Sequence, residues 1–598
     1  MTQLAALKSA TTLHNVADLL GFRAQTLAFI LYKLDDARKY KEFDIPKRHG
    51  GTRSISAPLP ELKLLQRRLS FLLQNCIEEI GTYTARQDTI SHGFTRRRSI
   101  VSNARRHRNR RYVFNIDLLD FFGAINFGRV RGFFLSDRNF MLHKTVATIL
   151  AQIACHKNAL PQGSPCSPVI SNLIGHILDI HLVRLASNSG CTYSRYADDI
   201  TFSTNEPHFP RCIAEHTDVN KDKWAVGETL ARIIERCGFQ INDVKTRMQY
   251  HDSRQEVTGL IVNEKINVRS EYRHTVRAMA NSLFTTGRFH LSGGTKCDTQ
   301  TSVTNAIPGT IHQLYGMVSF IYNIDTQNTK RRHIHKGLSQ YKAHDEQPKR
   351  RSEYLYFQVV LFKHFYMAAM PVIICEGKTD SVYISCAIRR LAESYRLLAT
   401  SDGDGNVEMK VRFFRYAETT IGKLLDMGSG GAGILAKFIR RYEFETRRFS
   451  GVEARSPIII VVDNDDGPRE PGGVFSIIKK ITHKDVKGDE KFIHIIRNLY
   501  LVAIPLVQGK SELEIEDLFD ETVRSIKLGE KRFRSKSPSK QKQDTHNENY
   551  YGKEWFATKV IQARADTIDF NGFRPLLSNI MLAIEDYSAK LATENEAN

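Results

Sequence analysis

A chain of 598 residues is too long for one hydrophobic core, so several domains are expected. With 41% apolar and 25% charged residues it has ordinary globular composition, and 86 Lys and Arg against 65 Asp and Glu leave a net charge of +21. That excess points to a polyanionic partner, with a membrane surface as the weaker alternative. Nine cysteines without a C-x-x-C pair argue against a disulfide scaffold or a zinc site and for a reducing compartment. No apolar run reaches the ~18 residues that span a bilayer. The N-terminus also lacks an export signal, so a cytoplasmic protein that engages no membrane is expected.

In chain order, "GTRSIS" precedes an amphipathic helix in which Leu62, Leu65, Leu69, Leu72, Cys76 and Ile77 recur at helical spacing. Strand-like runs follow at "RYVFNID" and "TYSRYADDITFS", with the helical "SPVISNLIGHILDIHLVRLA" between them. From Val268 to Phe284 the pattern is helical, with Arg269, Arg273 and Arg277 forming a stripe that could lie along a phosphate backbone. Residues 323–365 read as a polar connector. Beyond it, "PVIICEGKTD" and "SPIIIVVDNDDGP" are continuous apolar runs ending in acids, as buried parallel strands do. Near the C-terminus, "RFRSKSPSKQKQDTHNENYYGK" is a basic, low-complexity loop.

Asp198 and Asp199 stand side by side at the tip of a hairpin, and Asp117 ends a strand. Two carboxylates about 4 Å apart repel by about 4 kcal/mol in a protein-surface medium. A shared divalent ion would remove that cost. Mg2+ suits such a place because it prefers a few carboxylates completed by phosphates and water.

These residues make roughly the first 320 resemble a reverse transcriptase, with the family's motifs in order. Asp117 with Phe121 and Phe122 resembles the first catalytic motif, Phe122 matching the bulky gate that excludes a ribose 2′-hydroxyl. "LPQGSPCSPVISNL" is similar to the Gln-Gly-x-x-x-Ser-Pro motif, with Gln162 and Gly163 near nucleotide and template, and "YADD" resembles the metal-binding hairpin. Lys245 in "GFQINDVKT" resembles a proton donor near the triphosphate, and Arg53 the fingers arginine that holds it. The resemblance implies two Mg2+ ions, held by Asp117, Leu118, Asp198 and Asp199, with Asp117, Asp198 and Asp199 catalytic. Asn103, Ala104 and His107 in "SNARRHRNRR", with Val257-Thr258-Gly259, are similar to signatures of the bacterial retron subgroup. Retron enzymes start DNA synthesis at a guanosine 2′-hydroxyl within a structured non-coding RNA and make a branched RNA–DNA product. The expected RNA contacts are Asn103, His107, Arg105, Arg106, Arg108, Arg110 and Arg111, with Arg269, Arg273 and Arg277.

The second constellation resembles a TOPRIM domain. Glu376 ends one apolar strand with Asp380 four residues on; Asp463 and Asp465 end another. Acids at the carboxyl ends of adjacent parallel strands face one crevice. The resemblance implies that Glu376, Asp380, Asp463, Asp465 and Glu516 hold Mg2+ or Mn2+. It also implies that Glu376, Asp463, Asp465 and Lys553 do the chemistry, Glu514, Glu516 and Lys553 matching positions in the family's nuclease branch. "GSGGAG", Gly428 to Gly433, follows a helical run instead of a strand, so a close-approach turn is expected there and no dinucleotide site.

The expected architecture is therefore a multidomain α/β protein. A right-hand fingers-palm-thumb reverse transcriptase spans 1–322 with its thumb from about 268, 323–365 is the connector, and 366–598 is a TOPRIM domain with a mostly parallel sheet. The expected function is retron DNA synthesis with a fused nuclease effector against phage. Its partners are the cognate RNA and its DNA product, deoxynucleoside triphosphates, a nuclease substrate of RNA or DNA, and a second copy if it forms a homo-oligomer. A group II intron-like or diversity-generating enzyme, or an inert RNA-binding scaffold, is the alternative.

Overall fold

The computed structural model describes residues 2–47, 51–83, 90–217, 220–291, 307–335, 351–402, 404–415, 420–428, 430–506, 510–535 and 549–597. The chain divides into two compact units. One comprises Met1–Arg273 with Asn323–Tyr341; the other comprises His274–Tyr322 with Lys342–Asn598. The divisions after Arg273 and after Tyr322 fall inside two helices, Ser270–Thr286 and Ile311–His335.

The first unit opens with three short helices and a hairpin, Tyr40–Pro46 with Thr52–Pro58, leading into the helix Pro60–Tyr83. That helix buries Leu62, Leu65, Leu69, Leu72 and Cys76, as its 3.6-residue period requires, while Ile77 packs at the margin. At the centre is an antiparallel sheet ordered Thr192–Tyr196, Asp199–Thr204, Tyr112–Leu119, Gln240–Ile241, with Arg247–Tyr250 also pairing the Tyr112–Leu119 strand. Val113, Phe114, Ile116 and Leu118 of the central strand are all buried, so both of its faces lie in the core. The helix Ser167–Asn188 is long and apolar enough to cross a membrane by length and composition, contrary to the expectation that no run would be. Half of its apolar window is buried within the protein, and Asp179, buried on it, pairs with the buried Arg195 of the sheet.

The second unit holds a five-stranded sheet ordered Arg412–Phe413, Val372–Cys375, Ile458–Val462, Leu499–Ala503, Ile493–Ile496. The first four strands are parallel and the last is antiparallel. All five residues of Ile458–Val462 are buried, as expected for an aliphatic run covered on both faces.

The expected connector is partly helical. Ile311–His335 continues past 323, and Arg351–Leu361 followed by the wide helical turn Phe362–Tyr366 buries Tyr356, Phe357, Val359, Val360, Phe365 and Tyr366. The polar composition upstream masked this apolar face; residues 336–350 lie outside the described ones, as do 536–548 of the basic loop.

Candidate active sites

The antiparallel register sets Asp117 opposite Asp199, and the Leu118 N–H donates to the Asp198 carbonyl at 3.0 Å. Three carboxylates therefore gather at one turn, which reverses at Ala197 with φ 58°. Like charges directly opposite in a sheet are destabilising unless something intervenes. Burial raises Asp198, and Asp117 adds to the rise. Burial in the cleft and the charges of Asp198 and Asp117 push Asp199 up to about 7, although its side chain keeps an exposed edge. The Leu118 side chain is in the core, so only its main chain could serve an ion.

Two donors approach Asp117. Lys245 Nζ lies 2.8 Å from Oδ2, and Asn242 Nδ2 lies 3.0 Å from Oδ1. Asn242 was not expected at the site; it follows the short strand Gln240–Ile241, and its N–H donates to the Asp117 carbonyl. Arg53 rises on the hairpin strand Thr52–Pro58 and lowers the pKa of Asp198, opposing burial. The Ser56 N–H of that strand donates to the Gln162 carbonyl at 2.9 Å, which docks the Gln162-Gly163 turn against the hairpin. Half-buried Phe122 packs on Phe121, ring centroids 5.6 Å apart.

Beneath the hairpin, Arg195 is fully buried. Its guanidinium takes both Asp179 oxygens, Nε to Oδ1 at 2.8 Å and Nη2 to Oδ2 at 2.7 Å, and donates to the Ala197 carbonyl at 3.1 Å. A bidentate pair in a dry core has one geometry, so it pins the residue just before Asp198. Arg195 stands three residues before the first aspartate, yet only its burial reveals this role.

The expected RNA contacts divide. Asn103 and His107 are completely buried, which corrects their assignment. His107 bridges the sheet, Nδ1 to Ser203 Oγ and Nε2 to Ser194 Oγ, both at 2.7 Å, and Ser194 Oγ donates to Asn103 Oδ1 at 2.6 Å. These residues brace the strands of the Asp198-Asp199 hairpin and present no surface to an RNA. Arg105 donates to Gln327 at 2.9 Å and Arg110 to Thr192 at 3.1 Å, while Arg106 is half-buried. Arg269 pairs with Glu256, Nε to Oε1 at 2.8 Å, and Arg273 takes Asp325 in a fork, so these two hold the protein together. Arg108, Arg111 and Arg277 are exposed. Val257-Thr258-Gly259 turns the hairpin Glu256–Val257/Leu260–Ile261, and Thr258 Oγ1 donates to the Ile100 carbonyl at 3.3 Å.

In the second unit Cys375 pairs Val461 in parallel register, so Glu376 and Asp463 leave adjacent strands together. The Asp463 N–H donates to Glu376 Oε2 at 3.3 Å, and the Asp463 carboxylate accepts from the Ile515 N–H at 2.9 Å. Asp465 caps the short helix Asp466–Arg469 through the Gly467 N–H at 3.1 Å. Asp380 is buried and accepts from the Gly377 N–H at 2.6 Å. Glu516 is buried with Oε2 3.0 Å from Lys553 Nζ, while its Oε1 has no hydrogen-bond partner. Lys553 also reaches Glu514 at 3.3 Å.

Burial, with the charges of Asp465 and Asp380, pushes Glu376 up to about 7 against the opposing Asp463 N–H. Burial and the charges of Asp380, Glu376 and Glu516 push Asp463 up to about 8. Burial opposes the Lys553 charge, yet Glu516, Glu514 and Asp463 hold its ammonium above the ordinary value. Crowded carboxylates that resist ionisation, one of them with an orphaned buried oxygen, are an oxygen donor set suited to a hard cation. Among the described residues no group of three or more His, Cys, Asp or Glu is arranged to hold a metal ion by itself.

The glycine-rich stretch packs directly on this centre. The Gly431 N–H donates to the Glu376 carbonyl at 2.9 Å, and the Ala432 N–H, opening the helix Ala432–Thr446, to Glu376 Oε1 at 3.2 Å. A Cβ on Gly430 would stand 2.4 Å from the Glu376 carbonyl oxygen. The turn was expected to admit a helix or a nucleic-acid backbone; what lies against it is the strand end carrying Glu376.

Residues 45–263 match the reverse transcriptase (RNA-dependent DNA polymerase) family. The chain is similar to the retron Mx162 reverse transcriptase of Myxococcus xanthus, 34% identical over 283 residues, covering 44% of this chain and 54% of that one. It is 35% identical over 257 residues to the retron Mx65 reverse transcriptase of the same organism, covering 40% and 55%. To the retron Ec86 reverse transcriptase of Escherichia coli it is 29% identical over 322 residues, covering 53% and 86%. The chain thus spans about half the length of the two Myxococcus relatives.

Proposed function

We propose that this chain is a retron reverse transcriptase: it copies a structured non-coding RNA into DNA, starting from a guanosine 2′-hydroxyl of that RNA. The observation that carries the reading is the register that sets Asp117 opposite Asp199, with Lys245, Arg53 and Phe122 around the same turn. Divalent ions, when bound, neutralise the crowded carboxylates and lower the pKa of the attacking hydroxyl. Arg53 holds the triphosphate, Phe122 excludes a 2′-hydroxyl, and Lys245 gives a proton to the departing pyrophosphate. RNA is drawn to the exposed Arg108, Arg111 and Arg277 by charge.

The second unit is proposed as a metal-dependent nuclease of TOPRIM type and as the effector in defence against phage. The placement of Glu376 and Asp463 at adjacent strand ends, with Lys553 between Glu514 and Glu516, supports it. Lys553 is suited to steady a phosphate while the acids hold the ion.

The test is extraction of the nucleic acid bound to the purified chain. RNase and debranching treatment should each shift a single DNA species. Finding no covalent hybrid removes the retron reading, and failure to extend a primer on RNA with Mg2+ favours an inert scaffold. For the second unit, Glu376→Gln or Asp463→Asn should abolish defence and leave the branched DNA intact. Variants that still protect cells overturn the effector assignment.

A further inference from the structure

Phe94 has a left-handed backbone, φ 57°, a conformation that a non-glycine residue keeps only where its surroundings enforce it. The segment before it is laid alongside the catalytic hairpin. Ser91 bridges to Arg195 in parallel, the His92 N–H donates to the Arg195 carbonyl at 2.8 Å, and the Arg195 N–H donates to the Ile90 carbonyl at 3.1 Å. Asn172 clamps it from the helix Ser167–Asn188, Nδ2 to the Gly93 carbonyl at 2.6 Å and Oδ1 to Ser91 Oγ at 3.0 Å. Gly93 lies so close to the turn that a Cβ there would stand 2.5 Å from the Ala197 nitrogen.

The strain is therefore held in place one residue from the peptide that precedes Asp198. Its result is an aromatic ring 42% exposed, against the usual burial of phenylalanine, with its centroid 6.2 Å from that of Phe122. Phe122 also packs on the buried Phe121, centroids 5.6 Å apart. Phe122 thus has two aromatic neighbours, the core ring of Phe121 and the solvent-edge ring of Phe94.

We propose that Phe94 is a positioning residue for sugar selection: it props Phe122 in the place where a ribose 2′-hydroxyl would collide with it. The proposal rests on the polymerase reading and assigns to two rings a discrimination otherwise given to Phe122 alone. A wall that can yield discriminates poorly, because a pocket rejects one added hydroxyl only as far as its lining stays put.

The experiment is single-nucleotide incorporation by the full chain on a primed RNA template. It compares kcat/KM for a deoxynucleotide and the matching ribonucleotide in wild type, Phe94→Ala, Phe94→Gly and Phe94→Tyr. A ratio is insensitive to the folded fraction of the sample, so loss of stability cannot mimic the effect. Phe94→Ala should lower the deoxy-over-ribo preference about 10-fold, and Phe94→Tyr should restore it. Phe94→Gly relieves the strained φ and should raise the melting midpoint, yet lower the preference as alanine does. An unchanged preference in both truncations, or one that follows the melting midpoint, overturns the proposal while the polymerase reading stands. A wild-type chain that incorporates neither nucleotide overturns the polymerase reading itself, and this proposal with it.

Discussion

Lys245 Nζ lies 2.8 Å from Asp117 Oδ2, so a cation of the chain's own sits on a carboxylate of the central strand, two residues before that strand ends at Leu119. Lys245→Ala should lower kcat for nucleotide addition by about 100-fold, the usual worth of a positioned proton donor. Lys245→Arg keeps the ion pair but cannot release its proton, so it should remain slow. Full activity in the arginine variant would leave only an electrostatic role.

Asp199, pushed up to about 7, should tie the proposed DNA synthesis to pH. Protons and divalent ions compete for the same oxygens, and an ion favours the deprotonated form. The acid limb of the rate profile should fall near pH 7 at limiting Mg2+ and move to lower pH as Mg2+ is raised. A limb that ignores Mg2+ would assign the titration to another group.

Asp463 gives a stability prediction for the second unit. Its folded value of about 8 lies above the ordinary carboxylate value, so the fold favours the protonated acid. That contribution is complete below about pH 4, where the unfolded group titrates, and is lost as pH rises through the folded value. In chelator, Asp463→Asn should melt above wild type, with a gap of a few °C at pH 8 and less at pH 5. Adding Mg2+ should raise the wild-type midpoint and close that gap.

His107, with no exposed surface and a pKa held well below its ordinary value by burial and by Arg106 and Arg110, is neutral in the fold. The unfolded chain takes up a proton below about pH 6.5 and the folded chain does not, so this residue lowers stability as the medium becomes acidic. His107→Leu strips both serines of their partner and should cost about 2–3 kcal/mol in urea unfolding. RNA affinity per folded molecule should not change; a loss of affinity at unchanged stability would return His107 to the RNA interface.

Gly430 offers a test confined to the second unit. A methyl group there meets the Glu376 carbonyl oxygen, so Gly430→Ala should shift that strand end and abolish the proposed nuclease activity. DNA synthesis should be unaffected, and retained nuclease activity would mean the stretch is free to move aside.

Motifs whose meaning is local were legible in the residue order. "IIIVV" before Asp-Asn-Asp reads as a buried strand ending in acids, and "YADD" between two β-forming runs as a hairpin tip. Helix Pro60–Tyr83 followed from the spacing of its leucines. Polar residues were another matter, because their fate depends on partners far along the chain. His107 looks like part of a basic cluster until Ser203, 96 residues on, accepts it into the core. Arg273 looks like a phosphate contact until Asp325 claims it across 52 residues. Glycines 430 and 431 carry no hint in their own neighbourhood that Glu376 lies against them. Periodicity and strand ends are written within a few residues, so the sequence alone determined the elements and the acids at their tips. Which polar groups face solvent and which are consumed inside is decided by non-local pairing, since a buried charge or amide is tolerated only where the fold delivers its partner.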